Sequence, residues 1–288
     1  MSLEIRNLQP LRLNPVHHQH DDALSPGSQT RKKLDPFAFP VHDSKAHLLL
    51  AATGSVATIK IPLIISSLSQ HPNLAIRLIF TTSATQFLQG QSAEQPSLAE
   101  LEDLPNVEAV YLDEDEWREP WVRGNRILHI ELRRWADMLL VAPLSADALA
   151  KITGGWADSL VLSVVRAWDS TGELDPVRDV AGLDRPREEG EAGSSGSVVR
   201  KKKIIVAPSM NTAMWKQPIT KKQVDVLEGE WGVKNGGWFE VLQPMEKELA
   251  CGDVGSGAMR DWREIVGVIE DTLGLGGEGR RVRSTVAS

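Results

Sequence analysis

Short, uninterrupted apolar runs recur along this chain with helix-patterned segments between them, and that alternation leaves few folds open. Residues 46–52 form the first run, Ala-His-Leu-Leu-Leu-Ala-Ala, of the kind a strand buried on both faces needs. It breaks at Thr53-Gly54-Ser55 and gives way to a segment with Ile61, Ile64, Ile65 and Leu68 at helical spacing. Residues 75–80, 107–111, 138–142 and 203–207 read as further strands, with helices over 146–151 and 156–168 among the segments between them. Strands alternating with helices predict an α/β fold, an open parallel sheet with helices on both faces. Right-handed crossovers then bring the C-terminal loop of every strand to one edge of the sheet, where ligands bind in such folds.

The rest of the chain reads as appendages to one domain over 45–274. Residues 1–44 are rich in Pro, Asn, Gln, Ser and Asp without apolar periodicity, which predicts a disordered arm. His17, His18 and His20 beside Asp21 and Asp22 are read there as solvated, and no metal site is expected. The strand–helix pattern stops again over 169–203, a stretch of Gly, Ser, Glu and Arg read as a disordered insertion without chemistry, and 275–288 read as a loose tail. A net charge of −7 argues against nucleic acid or an anionic membrane as partner. No apolar stretch approaches the roughly 20 residues that span a bilayer, and the N-terminus carries no hydrophobic signal core, so a cytoplasmic location is expected. The single cysteine, Cys251, excludes a disulfide framework within one chain.

Chemistry-bearing residues gather at the predicted strand ends. Gly54, between Thr53 and Ser55, lets backbone N–H groups approach an anion, and a helix N-terminus following it would favour a phosphate. The glycine spacing is not the dinucleotide fingerprint and suits a mononucleotide. Thr81-Thr82-Ser83 and Ser145-Ala146-Asp147 offer further hydroxyl and amide donors. Each alone would be an ordinary helix cap, but three polar strand ends side by side look like a ribityl-phosphate cradle. Read as a helix, His129-Ile-Glu-Leu-Arg-Arg-Trp-Ala-Asp137 places Leu128, Leu132 and Trp135 on one face, with His129 and Arg133 beside it, within reach of a common anion. Asn211 supplies an amide that can grip a carboxylate or carbonyl without a charge of its own, and Met210 and Met214 offer soft surface to a flat ring. Cys251 lies among Gly252, Gly255 and Gly257, in a segment able to fold over a site with its thiol as proton donor or nucleophile.

Seven ordered blocks then carry a resemblance: ATGSVATIK (52–60), DEDEW (113–117), HIELRRWAD (129–137), APLSAD (142–147), RAWD (166–169), APSMNTAMW (207–215) and ACGDVGSGAM (250–259). Together they resemble the flavin-dependent cysteine decarboxylase family, most closely its coenzyme A branch, from about Ala46 to Leu273 with 169–203 as an interruption. The resemblance implies a flavodoxin-like, Rossmann-type fold that binds FMN. It implies trimers or trimer-based dodecamers, as homotrimers or as hetero-trimers with paralogues, with flavin sites at subunit interfaces. Carried over by position, Gly54, Ser55, Val56, Thr81, Thr82, Ser83, Ser145, Ala146 and Asp147 match the segments that cradle FMN. His129 matches the active-site histidine, Asn211 the amide on the substrate carboxylate, and Cys251 the proton donor of a mobile flap on which Ala250 and Lys247 face the substrate. The implied reaction is decarboxylation of 4′-phosphopantothenoylcysteine to 4′-phosphopantetheine in coenzyme A biosynthesis. Without prior oxidation of the thiol, loss of CO2 would leave an unstabilised carbanion. Two departures stand out. Glu248 occupies a position where plant relatives carry a basic residue, so either Lys247 takes that role or the flap sits differently, and Ser209 replaces an alanine. The rival reading is a regulatory subunit that inhibits a protein phosphatase involved in salt tolerance, as in fungal relatives. The joint presence of His129, Asn211 and Cys251 favours the enzyme.

Overall fold

Every residue of the first strand, β1 (Ala46–Ala52), is buried, and its side chains alternate between two cores. Leu48 and Leu50 enter one, Leu49 and Ala51 the other, as the two-residue period of a strand covered on both faces requires. The computed structural model describes residues 43–175, 177–180, 183, 200–248 and 254–276. After β1 come a 3-10 turn (Val56–Lys60), α1 (Ile61–Leu68), β2 (Leu74–Phe80), α2 (Thr82–Thr85), α3 (Leu98–Glu102) and β3 (Val107–Tyr111). Then follow α4 (Leu128–Trp135), β4 (Met138–Leu144), α5 (Ala146–Gly154), α6 (Leu160–Ala167) and β5 (Lys203–Pro208). The described part closes with α7 (Thr212–Trp215), α8 (Pro218–Glu228), β6 (Phe239–Val241), the strands β7 (Met245–Glu248) and β8 (Val254–Ala258), and α9 (Trp262–Leu273).

Six strands pair in parallel in the order β3-β2-β1-β4-β5-β6. This is the order of a Rossmann-type doubly wound sheet, with the chain reversing direction across the sheet between β1 and β4. Ile61, Ile64, Ile65 and Leu68 of α1 join Ile265 and Ile269 of α9 on one face. Leu132 and Trp135 of α4, Ile152 of α5, Val161 and Val164 of α6 and Leu227 of α8 cover the other. Among the described residues no helix is long and apolar enough to cross a membrane.

Several boundaries differ from those the sequence suggests, each for a local reason. No α-helix begins directly behind Gly54: Val56–Lys60 is a 3-10 turn, and α1 starts only at Ile61 with proline in its first turn. Ser159, which accepts from the Leu162 N–H at 3.3 Å, starts α6 later than Trp156. Strand β6 is too short to show a period, and the antiparallel β7–β8 pair combines charged residues with glycines, which gives no strand pattern to read.

The described ends of 169–203 pack rather than remain free of chemistry. The Asp169 carboxylate accepts from the N–H groups of Thr171, Gly172, Leu174 and Asp175 and from the Thr171 hydroxyl. Burial alone would raise its pKa, yet these bonds hold it down at about 2. Arg178 grips Asp137 at 2.9 and 2.7 Å, at the N-terminal edge of the sheet. Residues 184–199, most of the expected arm over 1–44, and the tail beyond Gly276 lie outside the described residues.

Lys202 sits in the same buried cluster and donates to the Arg134 carbonyl at 2.9 Å. Burial pushes its ammonium down from 10.5 to about 8, against the pull of Asp137 and Asp175. Between those two values the unfolded chain binds the extra proton and the folded chain does not. Lys202 therefore makes stability rise with pH from about 8 towards 10.5. Urea midpoints across that range should climb for the native chain, and the Lys202→Met variant should lack this contribution. An identical slope in both would contradict the assignment.

Candidate functional site

A cleft opens at the C-terminal edge of the sheet, where the connections leave β1 and β4 towards opposite sides of the sheet, the position at which doubly wound sheets bind ligands. Thr53 ties its two sides together. Its hydroxyl donates to the Pro143 carbonyl at 2.8 Å and accepts from the Ser145 N–H at 2.7 Å. Nothing in the sequence marks Thr53 for this task, because a buried threonine at a strand end carries no distinctive pattern. Gly54 stands against the loop after β2: a Cβ there would lie 2.5 Å from Ser83 Oγ and 2.8 Å from Ser83 Cβ. Only glycine allows the two loops this approach.

Hydroxyls at two of these strand ends cap helices. Thr81 Oγ1 caps α2 by accepting from Ala84 N–H at 3.3 Å, and Ser145 Oγ caps α5 by accepting from Ala148 N–H at 3.2 Å. One space of about 440 Å³ is lined by Thr53, Gly54, Thr81, Thr82, Ser83, Ser145 and Asp147 among others. A second, of about 520 Å³, shares Gly54, Ser83, Ser145 and Asp147 and continues past Ser55, Val56, Phe87, Ala146, Ser209 and Met210 to Asn211 and Met214. All nine residues expected to cradle the cofactor thus line one or both spaces, together with Asn211. Asp147 is exposed and lies 3.2 Å from Lys151, whose ammonium also lies 3.1 Å from Asp158. The hydrogen bonds to Asp158 and then to Asp147 raise the Lys151 pKa.

Asn211 caps α7 with its side-chain oxygen, which accepts from Met214 N–H at 2.8 Å, leaving its NH2 group as the donor to offer a ligand. Ser209, the residue replacing an alanine, accepts a hydrogen bond from the Ser55 hydroxyl at 2.9 Å and so links the loops after β1 and β5. The β7–β8 pair docks behind Asn211, with Met210 N–H donating to the Gly257 carbonyl at 3.0 Å. Gly257 has φ +124°, and a Cβ there would lie 2.6 Å from the Met210 carbonyl oxygen, so this contact also needs glycine. Lys247 lies on β7, while Ala250 and Cys251 lie outside the described residues.

His129 is placed differently. It sits in the first turn of α4, whose buried face is Leu128, Leu132 and Trp135 as the spacing predicts, and it lines neither of the two spaces. Arg133 does not share an anion with it. Arg133 turns inward, 2.8 Å from Asp175, and donates to the Ala167 carbonyl at 3.0 Å. The close partner of His129 is Glu116, a residue of the DEDEW block whose task only the fold reveals.

A family model described as Flavoprotein matches residues 37–274. The chain belongs to that family. It is 36% identical over 239 residues to mouse phosphopantothenoylcysteine decarboxylase, covering 83% of this chain and 92% of the relative. It is 34% identical over 270 residues to Coenzyme A biosynthesis protein 3 of Saccharomyces cerevisiae, covering 90% of this chain but 39% of that protein. A probable thymidylate synthase of Schizosaccharomyces pombe is 38% identical over 234 residues, 81% of this chain and 30% of that one, so the chain spans well under half of these two longer relatives. Among solved structures, a PPC decarboxylase mutant complexed with pantothenoylaminoethenethiol superposes with a TM-score of 0.57 at 34% identity, covering 78% of this chain and 97% of the other. The FMN binding protein AtHal3 does so at 0.55 and 34% identity, covering 78% and 95%.

Proposed function

We propose that this chain is an FMN-dependent decarboxylase that converts 4′-phosphopantothenoylcysteine to 4′-phosphopantetheine, a step of coenzyme A biosynthesis. The observation that carries the reading is the cleft at Gly54, where three polar strand ends meet an apolar floor beside Asn211. It fits the cofactor on its own terms. The missing Cβ of Gly54 leaves room where a side chain would fill the space, and the N-terminus of α5 favours a phosphate. Val56, Phe87, Met210 and Met214 offer surface to a flat ring. When bound, FMN supplies a two-electron acceptor and donor, which turns the thiol carbon into an electron sink for CO2 loss and later restores it.

The protein's part is holding and proton handling. The Asn211 amide grips the substrate carboxylate as a neutral donor, where an acidic side chain would repel it. His129 exchanges a proton with the substrate, and Cys251 returns one when the product is completed. Lys247 meets the substrate phosphate that Glu248 would repel, with Ala250 beside it. We place His129 of one subunit against the Asn211 cleft of another within a trimer. Its position away from Asn211 in a single chain supports this, as do the exposed Trp117, Trp121 and Val122 on the segment before α4.

The purified protein should be yellow, with oxidised-flavin absorption, and should release FMN on denaturation. Release of FAD, or no flavin uptake after reconstitution with FMN, would contradict the reading.

A further inference from the structure

Among the described residues, Glu116 and His129 form a close pair. Glu116 Oε2 accepts the backbone N–H of His129 at 3.1 Å, while Oε1 lies 2.8 Å from Nδ1 of the ring. The Glu116 side chain is only 4% exposed and that of His129 22%. Neighbouring arginines face other carboxylates: Arg118 pairs with Asp115, and Arg126 lies 3.9 Å from Glu131. Both oxygens of Glu116 are thus directed at one residue, across thirteen positions of sequence.

An ionised carboxylate only accepts hydrogen bonds. A neutral imidazole facing it must therefore carry its proton on Nδ1, which leaves the lone pair on Nε2. We propose that Glu116 is a positioning residue that fixes His129 as a proton acceptor at Nε2, a role that rests on the decarboxylase reading above. In the step so assigned, the S–H bond of the substrate thiol breaks and an N–H bond forms at Nε2. The electron pair stays on sulfur as a thiolate, and the imidazolium that results is balanced by the Glu116 carboxylate. The backbone bond to His129 matters equally, because it holds the carboxylate in register with the ring.

Glu116→Gln tests this with almost no change of shape. A glutamine has one acceptor and one donor group. If its oxygen keeps the backbone N–H of His129, its NH2 faces Nδ1 and the ring proton must move to Nε2. Nitrogen NMR of 15N-histidine-labelled holoprotein, with the His129 signals assigned by their loss in His129→Asn, should show an Nδ1–H ring in the native chain and an Nε2–H ring in E116Q. In E116Q kcat should fall on the order of 10²–10⁴-fold, with KM and FMN content little changed. Glu116→Asp, which again only accepts, should recover part of the loss. The same tautomer in both proteins, or an undiminished kcat in E116Q, would overturn the proposal. If E116Q does not fold, the native chain decides alone, because an Nε2–H ring there is incompatible with the assignment. The NMR result also stands apart from the decarboxylase reading: a native chain that does not turn over the substrate would refute that reading, while the tautomer still reports on Glu116.

Discussion

His129→Asn should lower turnover of 4′-phosphopantothenoylcysteine by about 10²–10⁴-fold, the usual contribution of a positioned acid or base, while the flavin stays bound. The two halves of this expectation have separate origins. Retention of flavin follows from geometry, since His129 lines neither of the spaces around Gly54. Loss of turnover follows from the role proposed for the ring in moving the thiol proton, which asparagine cannot perform. The variant should also fold normally, because the buried face of α4 is Leu128, Leu132 and Trp135. If the site is shared between subunits, chains carrying His129→Asn and chains carrying Asn211→Asp should regain activity when mixed and reassembled. Each trimer then contains some clefts with both native residues. A variant that turns over near the native rate would make His129 structural. Absence of any rescue, with subunit exchange confirmed, would place the whole site within one chain.

Gly54→Ala should weaken FMN binding by about 5–150-fold, the equivalent of the 1–3 kcal/mol that overpacking commonly costs. The added carbon would stand 2.5 Å from Ser83 Oγ and 2.8 Å from its Cβ, so the loops after β1 and β2 must separate. Ser83 sits on α2, whose cap at Thr81 leaves the loop little freedom to yield. Fluorescence titration of the apoprotein with FMN measures the effect. Gly54→Ala combined with Ser83→Gly removes the obstructing atoms and should recover part of the affinity, which separates a steric cause from a general loss of fold. Native affinity in Gly54→Ala would show that the loops do not form the cradle.

The sheet was legible because its central strands are near-continuous apolar runs: 46–52 coincides with β1, and the shorter run 107–111 with β3 at one edge. The other edge was not, because the three residues of β6 carry no period. That the polar ends of β1, β2 and β4 line one cleft could be read because parallel topology brings them to one edge, although hydroxyls there also cap helices. The partners of His129 and Arg133 could not. Helical spacing puts both residues on one face beside the apolar one, but only the fold shows that Arg133 is drawn inward by Asp175, forty-two positions away, and His129 by Glu116. Asp175 and Arg178 escaped for a related reason. They lie in a stretch whose composition is that of a solvated loop, and their charges gain meaning only against Arg133 and the buried Asp137.

On the proposed function, the cleft assembled from Gly54, the three strand ends and Asn211 works with His129 and Cys251 in a decarboxylation that needs no external redox partner. Anaerobic incubation of the flavin-loaded protein with 4′-phosphopantothenoylcysteine tests it most directly. Release of CO2 and formation of 4′-phosphopantetheine over many turnovers are expected, with no external electron acceptor. Flavin-loaded protein that leaves this substrate intact would contradict it.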